Sequence, residues 1–164
     1  MRATATRRRG ADPAAENGGL AIDFGPLERR LGYALRRAQV AVFRDFFAAF
    51  EAYDIRPAQY SILTIIECNP GRNQSEVSEA LGIKRANFVA MIDELERRAL
   101  VRRDSTPHDR RSHALVLTDA GRRLMRTLHA AADVHEQRLV TALGEDGAPG
   151  MFAALWKLAK LGEG

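Results

Sequence analysis

The stretch from Asn73 to Leu117 constrains the fold more tightly than any other part of the chain. Asn73, followed three residues later by Glu76, forms a capping box that starts a short helix with Val77, Ala80 and Leu81 facing inward. Gly82 then stands where a helix needs a left-handed residue to stop. Only Ile83 separates that stop from a second amphipathic run, KRANFVAMIDELERRAL, whose apolar face is Phe88, Met91 or Ile92, Leu95 and Ala99. Two short helices across a tight glycine turn predict a helix-turn-helix. Directly afterwards, LVRRDS and SHALVLT have strand character, with Leu115 and Leu117 alternating against Ala114 and Val116. Thr106-Pro107-His108-Asp109-Arg110-Arg111 lies between them, and Pro107 with Asp109 supplies the turn. A helix-turn-helix followed at once by a basic hairpin is a winged helix, in which one helix enters the major groove of DNA and the wing reaches the backbone or minor groove.

The flanks are helical. Leu27, Leu31, Leu35, Ala38, Val42, Phe46 and Phe50 step by three and four from Gly25 onward, marking one face of a long helix. Phe43 and Phe47 widen that face to a second side, so burial against a second chain is expected as well as against the chain's own core. Asp54-Ile55-Arg56-Pro57 breaks the run, and Pro57 suits the first turn of a helix carrying Tyr60, Ile62, Leu63 and Ile66 up to Asn69-Pro70-Gly71. Beyond the wing, Thr118 caps a long helix with Leu124, Leu128, Ala131 or Ala132, His135, Leu139 and Leu143 on one stripe. Gly144 stops it. A last helix from about Pro149 carries Phe152, Leu155, Trp156, Leu158 and Ala159. The expected class is mainly α with a small β-hairpin wing: a winged helix-turn-helix domain plus a helical dimerisation region. Its parts are a disordered basic arm over 1–22, dimerisation helices over 25–55 and 145–162, the winged helix-turn-helix over 56–118, and a long linking helix over 118–144.

Charge points the same way. The 164 residues carry a net charge of +4 and a sequence pI of about 9.7, which permits a polyanionic partner without demanding one. Position matters more: Lys84 to His113 holds eight basic side chains against five acidic ones. On the outward side of the second helix of the motif stand Lys84, Arg85, Asn87 and Ala90; Arg and Asn make bidentate contacts to guanine and adenine edges. Gln74, Ser75, Ser105, Arg110 and Arg111 complete the candidate DNA contacts, with Ser105 assigned to a phosphate. Asp109 sits two residues before Arg111, so its carboxylate can orient that guanidinium. The arm's four arginines oppose only Asp12 and Glu16, which suits a solvated tail or a phosphate contact.

These residues resemble one family. Leu81-Gly82-Ile83, Leu95-Glu96-Arg97-Arg98, Asp109-Arg110-Arg111 and Leu117-Thr118 with Gly121 after it are similar to the multiple-antibiotic-resistance-regulator (MarR) family, and the flanking helices extend the match over roughly residues 25–162. The resemblance implies an obligate homodimer built from the first and last helices, a pseudo-palindromic double-stranded operator, and effector pockets between the dimerisation and DNA-binding parts. It also makes Arg111 the wing arginine of the minor groove. One residue departs: relatives commonly have glycine where Ala99 stands, so the exit from the recognition helix should be more helical or slightly strained. Gly32-Tyr33-Ala34-Leu35-Arg36-Arg37-Ala38, with Phe43 and Phe47, resembles the branch that answers to aromatic acids or their coenzyme-A thioesters. Tyr33, Arg36, Arg37, Phe43 and Tyr60 are therefore the candidate effector residues, with dimer salt bridges the plainer role for Arg36 and Arg37.

Other chemistries are weaker. His129, Asp133 and Glu136 fall at helical spacing, but no Cys- or His-rich cluster supports zinc, so no metal and no cofactor are expected. The single Cys68 excludes an intramolecular disulfide and reads as a small core residue rather than a redox sensor. There is no nucleophile elbow and no phosphate loop, so an enzyme is not expected, and a protein-binding helical module would leave the basic wing without purpose. With no signal-peptide core and no membrane-length apolar run, a cytoplasmic location is expected.

Overall fold

The structure, a computed structural model, describes residues 22–106, 109–144 and 146–161; of residues 106 and 109–112 it describes the backbone alone. The arm expected over 1–22 therefore lies outside the described residues, apart from Ile22. The chain divides into two compact units, Met1–Ala38 and Gln39–Gly164.

In the first unit a 3-10 turn, Gly25–Arg29, starts with Pro26 and ends where the Arg30 N–H bonds to the Leu27 carbonyl. Arg30 is extended (φ −100°, ψ 118°), and only then does α1, Leu31–Phe50, begin. The single helix expected from Gly25 is thus interrupted. Leu27 and Leu31 are exposed, so apolar burial within the chain does not hold that first stretch in one continuous helix.

In the second unit α1 ends in a 3-10 turn, Glu51–Tyr53, and Asp54 is left-handed at φ 50°. Pro57 opens α2, Pro57–Cys68, as its first residue, and the Gln59 side chain accepts the Arg56 N–H at 3.0 Å. Then come α3 (Gln74–Ala80), α4 (Arg85–Arg97), β1 (Val101–Thr106), β2 (Asp109–Leu117), α5 (Asp119–Leu143) and α6 (Gly147–Ala159). The strands pair antiparallel, Val101 with Leu117 and Arg103 with Leu115, with an irregularity at Ser105/Thr106. The Leu115 N–H also reaches the Arg72 carbonyl at 2.9 Å, and the Gly71 N–H reaches the Leu115 carbonyl at 3.0 Å. The base of the wing is thereby tied to the α2–α3 link.

One core holds these elements together. Phe50 of α1, Ile62, Leu63 and Ile66 of α2, Val77 of α3, Phe88, Ile92 and Leu95 of α4, Leu115 of β2, and Met125 and Leu128 of α5 are essentially sealed from solvent. Each contributes about 1.5–3 kcal/mol of apolar burial. The open choice on α4 falls to Ile92, with Met91 half-buried. Met125 is a core residue that the expected α5 stripe omitted. Cys68 corrects another expectation: it is exposed, because two residues past buried Ile66 a helix turns through about 200° to its opposite face.

The junction of α4, β1 and α5 is packed backbone against backbone. Thr118 accepts the Gly121 N–H at 3.0 Å, while its own hydroxyl donates to the Ala99 carbonyl at 2.6 Å. A Cβ on Gly121 would stand 2.1 Å from the Leu100 carbonyl oxygen, so only glycine fits. Ala99 takes the strained exit, left-handed at φ 54°. Elsewhere large apolar side chains face outward: Phe43 and Phe47 on α1, and Phe152, Leu155 and Trp156 on α6. Among the described residues no helix is long and apolar enough to cross a membrane.

Candidate nucleic-acid interface

The motif's two helices are fixed to each other by short local bonds. Asn73 accepts the Glu76 N–H at 3.0 Å and Glu76 accepts the Asn73 N–H at 2.8 Å, the reciprocal box that the sequence predicts. That bond to the Asn73 backbone, with the hydrogen bond from Arg72, holds the Glu76 carboxyl below its ordinary pKa. The turn closes through the Gly82 N–H to the Glu79 carbonyl at 3.0 Å and the Ile83 N–H to the Ser78 carbonyl at 2.9 Å. Gly82 has φ 62°, so the turn uses its left-handed freedom.

α4 then leaves with its apolar face on the core and its first turn outward. Lys84 precedes it without a side-chain cap, which leaves first-turn N–H groups open to water or phosphate. Lys84, Arg85, Asn87 and Ala90 are all exposed, and so are Ser75 and Ser105. Gln74 is half-buried, and its Oε1 is shielded with no partner among the described residues. Arg110 and Arg111 lie on β2, but their side chains, and the carboxylate of Asp109 expected to orient one of them, fall outside the described residues.

The basic residues between Lys84 and His113 divide into two sets. Lys84, Arg85, Arg97 and Arg102 are exposed, Arg102 pairing with Asp104 at 2.9 Å. Arg103 instead turns inward between wing and helix. Its guanidinium bonds to Asp93 at 2.5 Å and to Glu96, and its backbone N–H reaches Glu96 at 3.2 Å. Burial alone would lower the Arg103 pKa; the hydrogen bonds and charges of Asp93 and Glu96 outweigh it and raise the pKa, so the group stays charged. Arg103 is one of the eight basic side chains counted over Lys84 to His113, and strand alternation places it on the inward side with buried Val101. Arg98 is also spent internally, on the carbonyls of Tyr53 and Asp54. No local signal points to that pairing across 44 residues.

The effector candidates fall in both units. In the first, Arg37 donates to the Tyr33 hydroxyl at 3.3 Å and lies over the Phe24 and Tyr33 rings at 5.9 and 6.0 Å, while Arg36 is exposed. In the second, Phe43 is exposed and Tyr60 packs on Phe46 and Phe50. Burial pushes the Tyr60 phenol above its ordinary pKa, with Asp133 and Glu67 acting in the same direction. The Tyr60 hydroxyl lies 3.2 Å from His129 Nδ1, and His129 Nε2 lies 2.7 Å from the Glu67 carboxylate. Sequence reasoning did not foresee this chain of bonds between α2 and α5. A second one joins His135 Nδ1–H to Asp45 at 2.6 Å, with Arg138 at 3.4 Å from the same oxygen. Among the described residues no group of three or more His, Cys, Asp or Glu is placed to hold a metal ion.

This geometry has close counterparts. Residues 53–112 match the family model described as "MarR family". A putative transcriptional regulatory protein for the hcr operon of Thauera aromatica is 31% identical over 122 residues, covering 74% of each chain. The transcriptional repressor CouR, solved bound to a 23-mer DNA duplex, is 45% identical with a TM-score of 0.81, over 84% of this chain and 98% of that one. CouR bound to p-coumaroyl-CoA is similar to this chain at 42% identity and a TM-score of 0.80, over 85% and 98%.

Proposed function

The chain belongs to the MarR family of transcriptional regulators, and on that footing we propose that it is a homodimeric repressor released from its operator by an aromatic acyl-CoA thioester. One observation carries the reading. Identity above 40% runs over nearly all of a repressor that has been solved both on DNA and with such a thioester. It acts as a binding protein and not as an enzyme, in the cytoplasm where its operator lies.

The roles follow from chemistry. Arg85 and Asn87, exposed at the start of α4, read base edges in the major groove, and Lys84, Ser75 and Ser105 meet phosphates. Gln74 adds a contact at the start of α3. Arg110 and Arg111 bring positive charge to the minor groove, with Asp109 orienting Arg111. The apolar faces of α1 and α6, with Phe43, Phe47, Phe152, Leu155 and Trp156 exposed in the single chain, are the surfaces that dimerisation covers. For the effector, each unit is taken by itself: in the first, the Tyr33–Arg37 cluster and Arg36 suit an anionic group such as a phosphate, and in the second, exposed Phe43 and Tyr60, which packs on Phe46, are aromatic candidates.

The test is fluorescence anisotropy on the duplex upstream of the protein's own coding region, titrated with p-coumaroyl-CoA, free p-coumarate and coenzyme A. Release by the thioester alone is expected. Operator binding that ignores all three, while zinc or peroxide abolishes it, would replace this reading with a metal- or redox-sensing regulator of the same fold.

A further inference from the structure

The recognition helix is held at its far end by a residue whose half-buried side chain turns back onto the protein. Arg98, the residue closing α4, donates Nη1 to the Asp54 carbonyl at 2.6 Å and Nη2 to the Tyr53 carbonyl at 2.8 Å. The Asp54 carboxylate lies a further 3.8 Å from the same guanidinium. These carbonyls close the 3-10 turn that ends α1, where the helix dipole places partial negative charge and a cation is favoured. A planar guanidinium spans two adjacent carbonyls at once, which a compact ammonium does poorly.

Both ends of the clasp are conformationally defined. Asp54, which supplies one carbonyl, is left-handed at φ 50°; Ala99, immediately after Arg98, is left-handed at φ 54°. Neither residue is glycine, so each conformation costs free energy that surrounding contacts must offset. On the other side of Ala99, the Thr118 hydroxyl holds its carbonyl, and Gly121 admits the Leu100 carbonyl at a distance no side chain would allow. The exit of α4 is thus bolted to α5 on one side and, through the Arg98 hydrogen bonds in addition to the apolar core, to the end of α1 on the other.

We infer that Arg98 is a positioning residue for DNA reading: it locks the C-terminal end of the recognition helix to the C-terminal turn of α1, so that a shift of that turn re-aims α4. The inference rests on the proposed function, since it assigns the link between the helix whose apolar face awaits a partner and the helix that reads bases. Arg98 touches no nucleic acid in this role. Its loss therefore weakens discrimination and leaves the count of neutralised phosphates unchanged.

The experiment compares wild type with Arg98→Met, which keeps the stem and removes the donors, and Arg98→Lys, which keeps the charge. Each is titrated at several salt concentrations, below its unfolding transition, on the duplex the wild type selects from a randomised pool and on a scrambled duplex. For Arg98→Met the expected result is an affinity loss of about tenfold on the selected duplex, none on the scrambled one, and an unchanged salt slope, with Arg98→Lys recovering part of the loss. Equal losses on both duplexes with a slope lowered by about one would make Arg98 a phosphate contact and overturn the inference. No loss on either duplex overturns it too. If the wild type selects no duplex, the proposed function falls, and amide hydrogen exchange still decides the clasp. Faster exchange in Arg98→Met at both residues 51–54 and residues 94–98 supports it; a change at one segment only, or at neither, refutes it.

Discussion

Asn87 stands exposed one helical step before sealed Phe88, so α4 cannot turn it away from a ligand without unburying its own anchor. Asn87→Ala should cost about 1–3 kcal/mol on the cognate operator and little on random DNA, because an adenine-edge contact carries sequence information. Binding isotherms on the two duplexes check this, and equal losses would move the reading surface elsewhere. Glu76 offers a pH test of the same motif. Its carboxyl is held below the ordinary value of 4.5 by the Asn73 N–H first and by Arg72 second. A depressed carboxylate contributes stability that is full above its unfolded pKa and is lost as pH falls through the folded one. Glu76→Gln should therefore flatten the acid limb of the stability curve below about pH 4.5 while leaving the neutral plateau nearly parallel. Chemical denaturation at stepped pH measures it; an unchanged acid limb would show that the box does not titrate with folding. These residues differ in how legible they were. Asn73 with Glu76 is a local pattern and reads directly from the chain. Arg98 and Arg103 look like any other surface arginine until the fold brings Tyr53, Asp93 and Glu96 to them.

At the scale of elements, the junction after α4 sets the angle of the wing. Glycine at position 99 would adopt φ 54° without the clash that alanine's Cβ makes, and Ala99 is exposed, so nothing packs on that methyl group. Relief of about 1–2 kcal/mol of left-handed strain, less about 0.5–1 kcal/mol for the freer unfolded chain, predicts that Ala99→Gly stabilises the protein slightly. The mirror change, Gly121→Ala, drives a Cβ into the Leu100 carbonyl at 2.1 Å, where backbone cannot yield cheaply. It should destabilise by about 3 kcal/mol or more. Thermal unfolding of both variants checks the pair, and a stabilised Gly121→Ala would mean that α5 packs differently on the wing. The elements themselves were largely readable, because the Asn73–Glu76 capping box, Pro57, Gly82, Thr118 and Gly144 each announce a boundary through local chemistry. The break at Arg30 was not, since apolar spacing continues across it; periodicity reports which face a helix would bury, not whether anything is there to bury it. The solvent-facing Cys68 was missed for a related reason: an apolar helix end was taken for a buried one.

For the whole molecule, the expected arrangement has a two-fold axis, and DNA geometry then follows from symmetry. The single chain leaves Phe43 and Phe47 of α1 and Phe152, Leu155 and Trp156 of α6 in water, a larger set of aromatic and aliphatic side chains than scattered surface hydrophobes account for. An isologous interface made from these faces presents two copies of α4 related by a dyad, so half-sites should repeat in inverted orientation about 10 bp apart, one helical turn. The apolar stripes on α1 and α6 were legible, and the breadth that Phe43 and Phe47 give α1 already pointed to a second chain; resemblance added that this chain is another copy, because apolar spacing does not say whose surface covers it. Trp156→Glu tests the assembly and the operator together. Burying a carboxylate in an apolar interface costs several kcal/mol, so the variant should sediment as a monomer at micromolar concentration while keeping its helical circular dichroism. A monomer engages one half-site, so operator affinity should collapse toward the non-specific level, and the footprint should shrink to one side of the pseudo-dyad. Recognition of a single half-site with undiminished affinity by that monomer would overturn the symmetric model, and so would a Trp156→Glu protein that remains dimeric on an unchanged footprint.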